Sequence, residues 1–235
     1  MPEPVRPGEA SDRLAVELSD ACVWVEEHVD PLTAVVLEST GEAFCVVPPG
    51  GAADCDAMGE VWAEATAAVG QLTAPVIAVL RGDAIGPAWD LALACDLRVA
   101  SAMVHVGSSE LRWGRMPSAG AIRRLTRIAG PSSALSLLLL ANLLSAEEAR
   151  ELYLIHLVAA PSEADSCLAD LLGTLRKAAP IALAYAKEAV LQAEHLSLTD
   201  GLRLEADLQV LLQTTRERAE RLAAFVQRRQ TRGGS

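Results

Sequence analysis

The sequence predicts an α/β fold in the first half of the chain and a layer of helices in the second half. Three apolar segments have the length and composition of buried strands: TAVVLES (33–39), PVIAVL (75–80) and DLRVAS (96–101). Segments with helical spacing lie between them, and this alternation is typical of a mostly parallel sheet, whose strands need helical crossovers. From residue 119 onward the apolar residues recur at helical spacing.

The first half repeats a unit in which a helix leads into a strand. Residues 14–27 carry apolar side chains at helical spacing, and the Asp30-Pro31 turn leads into the first strand. A Gly/Pro loop, VVPPGGAADC, precedes a second helix with an apolar face of Val61, Trp62, Ala65, Val69 and Leu72. Residues 82–94 begin with glycine and continue as a short helix before the third strand.

The second half is predicted to be helical apart from the segment LIHLVA (154–159). A capping box, Ser145-x-x-Glu148, begins one of the helices. The predicted helices cover residues 119–129, 132–142, 145–153, 162–178, 180–195 and 199–229. We therefore divide the chain into a core of residues 1–160, a C-terminal helical region of residues 161–230 and a disordered tail at 231–235.

Composition limits the classes of function. The chain has 235 residues, which suits one domain, and its 51% hydrophobic and 22% charged residues exclude a disordered protein. Its net charge of −11 has the wrong sign for binding nucleic acid or an anionic membrane surface. We expect no nucleic-acid partner and no membrane partner.

The cysteines and the N-terminus indicate a cytoplasmic protein. The five cysteines are an odd number without a CxxC pair, which suggests neither a disulfide framework nor a metal site. The first residues lack the pattern of a secretory signal, and no stretch reaches 18 uninterrupted apolar residues. We expect reduced thiols and a chain that is neither secreted nor membrane-spanning.

The most informative segment is RGDAIGPAWDLALACDLRVAS (81–101). It places a glycine-containing turn and a helix N-terminus directly after a strand, and such a turn can stabilise a developing negative charge. The segment resembles the enoyl-CoA hydratase/isomerase (crotonase) superfamily, whose members carry G-x-A-x-G-G-G-x-E-L-A-L-A-C-D at this point. Four further blocks resemble the family in the same order: TAVVLESTGEAFCVV, GSSELRWGRMPSAGAIRRLTRIAG, LSAEEARELYLIHLV and AAFVQRR.

The resemblance covers about residues 33 to 229 and implies a crotonase-like α/β fold. In that fold, a spiral of strand-strand-helix repeats precedes a C-terminal helical region that mediates trimerisation. A homotrimer or a hexamer is therefore expected. The family normally begins with a strand hairpin, and the short segment before Arg6-Pro7 leaves little room for one.

The resemblance also implies site residues. The two acidic positions of the family, which handle water and a proton at neighbouring carbons, correspond to Asp90 and Glu110. The oxyanion hole, two backbone N–H groups that polarise the thioester carbonyl, corresponds to the loop containing Pro48 and Gly50 and to the turn Gly86-Pro87-Ala88. Pro87 occupies the position of the second donor and has no N–H.

Five other residues complete the candidate site. We expect Trp89, His105 and Trp113 beside the substrate pocket, where an inward-pointing Trp89 would narrow the cavity. A lone histidine such as His105 is more often structural than catalytic. Arg228 and Arg229 match a basic pair that the family uses near coenzyme A phosphates.

The predicted function is that of a hydratase/isomerase acting on an acyl thioester through an enolate. Coenzyme A or the phosphopantetheine of an acyl carrier enters as part of the substrate, and no separate cofactor or metal is expected. Two alternatives stay open. In the first, the chain is a diverged relative that assists a polyketide-type dehydration or decarboxylation on an acyl carrier, with a biosynthetic partner. In the second, it is a non-catalytic scaffold of the same fold whose pocket has closed.

Overall fold

The computed structural model describes residues 7–29, 32–39, 44, 55–216 and 218. Contacts within the chain divide it into two compact units. The first consists of residues up to 30, 35–72 and 76–171, and the second of residues 31–34, 73–75 and those from 172 onward. The predictions for Pro48, Gly50, Arg228, Arg229 and residues 231–235 lie outside the described residues.

The described part of the chain contains the following elements in order. They are α1 (Pro7–His28), β1 (Val35–Glu38), α2 (Cys55–Gln71), β2 (Val76–Leu80), β3 (Ala84–Ile85), α3 (Pro87–Ala94), β4 (Leu97–Ser101), β5 (His105–Gly107), a 3₁₀ helix (Glu110–Trp113), α4 (Ala121–Leu140), β6 (Leu144–Ser145), α5 (Ala146–Glu151), β7 (Leu157–Ala159), α6 (Ala164–Leu175), α7 (Pro180–Ala193) and α8 (Leu198–Gln213).

A parallel sheet forms the centre of the first unit. Its strands lie in the order β1-β2-β4-β7, and every neighbouring pair is parallel. All five residues of β2 are buried, as expected for a strand covered on both faces. Asp96 ties two of these strands together, because its carboxylate accepts the backbone N–H of Val76 at 2.7 Å. The predicted strands and the parallel sheet are confirmed.

A second, three-stranded sheet with the order β3-β5-β6 lies at the start of α3. Its strands are only two or three residues long, which is why no hydrophobic pattern predicted them. β3 pairs with β5 in parallel, and β5 pairs with β6 in an antiparallel arrangement. This sheet brings the turn before α3 beside the segment that leads into the 3₁₀ helix.

Most predicted helices are confirmed with small shifts of their ends. The capping box is present, since the Ser145 side chain accepts the Glu148 N–H and the Glu148 carboxylate accepts the Ser145 N–H. The helices predicted at 119–129 and 132–142 form α4, with non-helical backbone at Gly130 just before Pro131.

The prediction of one continuous helix over 199–229 is wrong at residues 214 and 215, and its part beyond residue 218 lies outside the described residues. α8 ends at Gln213, and the backbone N–H groups of Thr214 and Thr215 bond to the carbonyls of Leu211 and Leu212. The hydroxyls of both threonines donate to the same two carbonyls. Threonine side chains that bond to the preceding turn compete with helix continuation.

The second unit contains α7, whose residues are half-buried or exposed, and α8, whose residues are mostly exposed. None of the residues of α7 is buried, and Leu208 is the buried residue of α8. No helix in the described part of the chain is long and apolar enough to cross a membrane. Among the same residues, no group of three or more His, Cys, Asp or Glu side chains forms a metal-binding cluster.

Candidate active site

The turn before α3 requires glycine. Gly86 has φ 63° and ψ −131°, a backbone conformation that residues with a Cβ rarely adopt. Its N–H donates to the carbonyl of Gly107 at 2.9 Å, which fixes the turn against the end of β5. Pro87 then occupies the first turn of α3, where its fixed φ suits the helix and its missing N–H leaves no intrahelical bond unmade.

Asp90 lies in the first turn of α3 and is completely buried, at 0% exposure. Neither of its carboxylate oxygens has a hydrogen-bond partner among the described residues. The pKa of Asp90 is raised to about 8, chiefly by burial and secondly by the negative charge of Glu110, while Arg124 and the backbone of Ser118 act in the opposite direction. A buried carboxyl without a partner is unusual in a purely structural role.

Glu110 begins the 3₁₀ helix, and its carboxylate lies against the turn at Gly86. A Cβ built on Gly86 would come within 3.1 Å of Glu110 Oε1. Both carboxylate oxygens are buried without a hydrogen-bond partner among the described residues. Burial also raises the pKa of Glu110, against the effects of nearby backbone groups and of Arg115. The structure thus brings the two predicted acidic residues together, although twenty residues separate them in the sequence.

Arg124 on α4 is a third charged group at this site, and the sequence analysis missed it. Its guanidinium lies against Gly120, where an added Cβ would meet Nη1 at 2.9 Å, and it donates to the carbonyl of Ala119. Burial lowers the pKa of Arg124, whereas the charge of Asp90 raises it. The helical spacing could have indicated its position, because Arg124 lies on the same face of α4 as the buried residues Ala121 and Leu125.

Two backbone N–H groups at the start of α3 are free of the helix ladder. The first intrahelical bond joins the Asp90 N–H to the Gly86 carbonyl at 3.0 Å. The N–H groups of Ala88 and Trp89 precede it, so they have no intrahelical acceptor. The start of the other predicted oxyanion loop lies nearby, because the Phe44 N–H donates to the carbonyl of Asp83 just before β3.

The predicted pocket residues occupy different places. Trp89 is buried and lines a small cavity. His105 does not line this cavity: its side chain is exposed on β5, and Nδ1 lies 3.5 Å from the carboxylate of Asp83. The side chain of Trp113 lies outside what the structure describes.

The far end of α3 is anchored by Arg98, a residue that the sequence analysis did not single out. Its buried guanidinium donates to the carbonyls of Ala92, Cys95 and Leu154. The first two belong to the last turn and C-cap of α3, where a cation is favoured by the helix dipole. Arg98 therefore ties the helix that carries Asp90 to the segment before β7.

Comparison with known proteins identifies the family to which this chain belongs. A family model for enoyl-CoA hydratase/isomerase matches residues 10–233. The chain belongs to the enoyl-CoA hydratase/isomerase family. The predicted resemblance to the crotonase superfamily and the predicted crotonase-like fold are confirmed.

Named relatives of this family member are hydratases. The chain is 37% identical over 158 residues to a probable enoyl-CoA hydratase of Rhizobium meliloti, which covers 66% of this chain and 60% of the relative. It is 33% identical over 174 residues to 2,3-dehydroadipyl-CoA hydratase of Escherichia coli, with 74% and 67% covered. The match thus spans about three fifths of the length of the first relative and two thirds of the second.

The likeness extends to solved structures. The crystal structure of enoyl-CoA hydratase from Bacillus anthracis matches this chain with a TM-score of 0.85 at 28% sequence identity. The match covers 92% of this chain and 86% of that one.

Proposed function

We propose that this family member is a lyase that adds water to, or removes water from, an α,β-unsaturated acyl thioester. The observation that carries the proposal is the pair of buried, unpartnered carboxyl groups of Asp90 and Glu110. Adding water across a double bond needs one group that accepts a proton and one that donates a proton. Two interacting carboxyl groups with separated proton affinities supply both.

The charges assign the two roles. With a pKa raised to about 8, Asp90 keeps its proton at neutral pH, and the charge of Glu110 is one cause of that raised pKa, so we assign the ionised role to Glu110. Glu110 then accepts a proton from water as the water oxygen bonds to the β-carbon of the substrate. The electron pair of the double bond moves into an enolate, and Asp90 donates its proton to the α-carbon. Dehydration reverses these steps.

The enolate oxygen needs hydrogen-bond donors. Because Pro87 has no N–H, we assign the donor at the start of α3 to the backbone N–H of Ala88, which is free of the helix ladder. Replacing Pro87 by alanine tests this assignment. We expect kcat/KM to stay within about threefold, whereas an increase on the order of 100-fold would show that the wild-type hole lacks a donor.

The thioester is proposed to be carried by coenzyme A. The names of the relatives support this choice, since both are CoA thioester hydratases. An acyl carrier protein presents the same thioester chemistry and is the alternative carrier. A cytoplasmic location belongs to the same proposal, because Cys22 and Cys167 form no disulfide in the part of the chain that the structure describes.

We further propose that copies of this chain assemble into a trimer or hexamer. The second half of α4 exposes Leu135, Leu139 and Leu140, and α8 exposes Val210 and Leu211, each at 50% or more. Apolar surface of this extent is usually covered by a partner. Sedimentation equilibrium should give three or six times the chain mass of 24.8 kDa, and a monomeric mass would contradict the proposal.

A non-catalytic scaffold is the second candidate. Two observations favour it: the small size of the cavity beside Trp89 and the proline at the family's donor position. Both candidates predict the same fold, so activity and binding must decide between them.

The test follows the loss of the conjugated double bond of crotonyl-CoA by absorbance. We expect turnover in the wild type and a decrease of about 100-fold or more in Asp90→Asn and in Glu110→Gln. Asp207→Asn and Glu151→Gln, at exposed helix positions, are the matched controls and should retain activity. Turnover that survives both site substitutions would contradict the assigned roles. No turnover and no binding, with crotonyl-CoA or a crotonyl carrier protein, would establish the scaffold.

A further inference from the structure

A small cavity lies beside the elements that carry the two carboxyl groups. Trp89, which lines it, immediately precedes Asp90, and Ser108, which also lines it, is two residues before Glu110. Gly107 lines the cavity as well, and its carbonyl accepts the N–H of Gly86. A substrate with its reacting carbons between the carboxyl groups would therefore extend from them toward this cavity.

The lining of the cavity suits hydrocarbon. Five leucines supply much of the wall: Leu125, Leu137, Leu138, Leu144 and Leu154. Val106 and the indole of Trp89 add further apolar surface. Such a surface favours an acyl chain over a polar group, because the hydrophobic effect scales with the apolar area removed from water.

The cavity has almost no free space. Its volume is about 10 Å³, about that of one water sphere. Trp89 is only 2% exposed, and its large side chain lines the cavity together with leucines of α4. An acyl chain cannot extend into this region while the indole occupies it.

We propose that Trp89 is a specificity-determining residue that restricts this protein to short-chain enoyl thioesters of about four carbons. The inference rests on the proposed lyase function. Its basis is that the buried indole lines the cavity together with the leucines and with Gly107, whose carbonyl holds the turn at Gly86 beside Glu110. Longer straight chains are excluded because they would need the volume that the indole fills.

The experiment compares thioesters of different length in matched tryptophan variants. Enoyl-CoA substrates with four, six, eight and ten carbons are assayed with the wild type, Trp89→Phe and Trp89→Val. The control is Trp62→Phe, since Trp62 is equally buried, at 1% exposure, but does not line the cavity. Binding of the saturated acyl-CoA series is measured by calorimetry in parallel.

We expect the kcat/KM of the wild type to fall by at least about tenfold each time the acyl chain is lengthened by two carbons. A single methylene that the pocket cannot accommodate can produce a decrease of this size. Trp89→Val should raise the ratio of eight-carbon to four-carbon kcat/KM by tenfold or more, with a smaller rise in Trp89→Phe. The ratio in Trp62→Phe should match the wild type. Equal kcat/KM for all lengths in the wild type, or an unchanged ratio in Trp89→Val, would overturn the role of Trp89.

Failure of the proposed lyase function has a different signature. In that case no thioester turns over in any variant, and only the binding measurements test the role of Trp89. If Trp89→Val binds long saturated acyl-CoA more tightly than the wild type does, the inference is supported. If the two proteins bind it equally, the inference is overturned. A separate measurement checks that Trp89→Val is folded and that its cavity is open. Benzene should fill the opened cavity and raise the Tm of this variant, and it should leave the Tm of the wild type unchanged.

Discussion

Glu110 raises the proton affinity of Asp90 across the turn at Gly86. The two carboxyl groups come from different elements, and neither has a hydrogen-bond partner among the described residues. Burial is the larger cause of the raised pKa of Asp90, and the charge of Glu110 is the second. The same arrangement has consequences for stability.

The contribution of Asp90 to the free energy of unfolding should fall as the pH rises from about 4 to 8. Unfolded Asp90 releases its proton near its usual pKa of 3.8, whereas the folded state holds it to about pH 8. Between these values the folded state binds more protons, so stability declines with pH. Asp90→Asn should remove a penalty on the order of 4 kcal/mol at pH 7. Denaturant unfolding across this pH range, with Asp207→Asn as control, measures the difference; parallel curves for wild type and Asp90→Asn would contradict it.

Replacing Arg124 should shift the alkaline limb of the activity profile. The guanidinium stabilises the charged form of Asp90 and thereby lowers its pKa. Arg124→Met should raise that pKa and move the alkaline loss of kcat/KM to higher pH, while Arg124→Lys should stay near the wild type. The pH dependence of crotonyl-CoA hydration tests this, and a shift to lower pH would refute the electrostatic role.

Gly86→Ala should impair both folding and the site. Alanine disfavours the positive φ of 63° at this position, at a cost on the order of 1 kcal/mol or more. Its Cβ would also press within 3.1 Å of Glu110 Oε1 and displace that carboxylate. We expect a lower Tm together with a decrease in kcat. Gly173→Ala, where a Cβ would meet nothing within 4 Å, is the control and should show neither effect.

Arg98→Met should strongly destabilise the protein. The substitution removes the side-chain donor from the buried carbonyl groups of Cys95 and Leu154 and one of the two donors of Ala92, whose carbonyl keeps the N–H of Cys95. Each carbonyl left without a donor costs about 1 to 3 kcal/mol, so a total loss of at least about 2 kcal/mol is expected in urea unfolding. The exposed Arg203, replaced in the same way, should change stability by about 0.5 kcal/mol or less. Equal effects at the two positions would show that Arg98 is not an anchor.

His156 should contribute to acid unfolding. Its Nδ1 accepts the backbone N–H of Arg98 at 3.1 Å, and partial burial followed by the charge of Arg98 lowers the pKa of His156 to about 4. The unfolded state takes up a proton near pH 6.5, so this contribution is present above that pH and is lost as the pH falls toward 4. His156→Asn, which retains an acceptor, should flatten the decline of Tm between pH 6.5 and 4; an equally steep decline would count against this cause.

The sequence by itself was sufficient for the family and the main strands, and it pointed to Asp90 and Glu110 as candidate acids. Segments such as residues 75–80 are apolar enough to form a buried strand in any parallel sheet, and the block around Asp90 carries the family pattern within one continuous stretch. The capping box at Ser145 is equally local, because both of its hydrogen bonds join residues three positions apart.

Only the tertiary structure decided how these residues act together. Packing between elements that are distant in sequence brings Asp90 close to Glu110 and Arg124. The same packing buries Trp89 in the wall of the small cavity. The side chain of His105 is exposed because of its place on β5. This strand has only three residues, too few for a hydrophobic pattern to predict which side chains are buried. Burial and the charges across the turn set the proton affinity of Asp90, and neither quantity is a property of its local sequence.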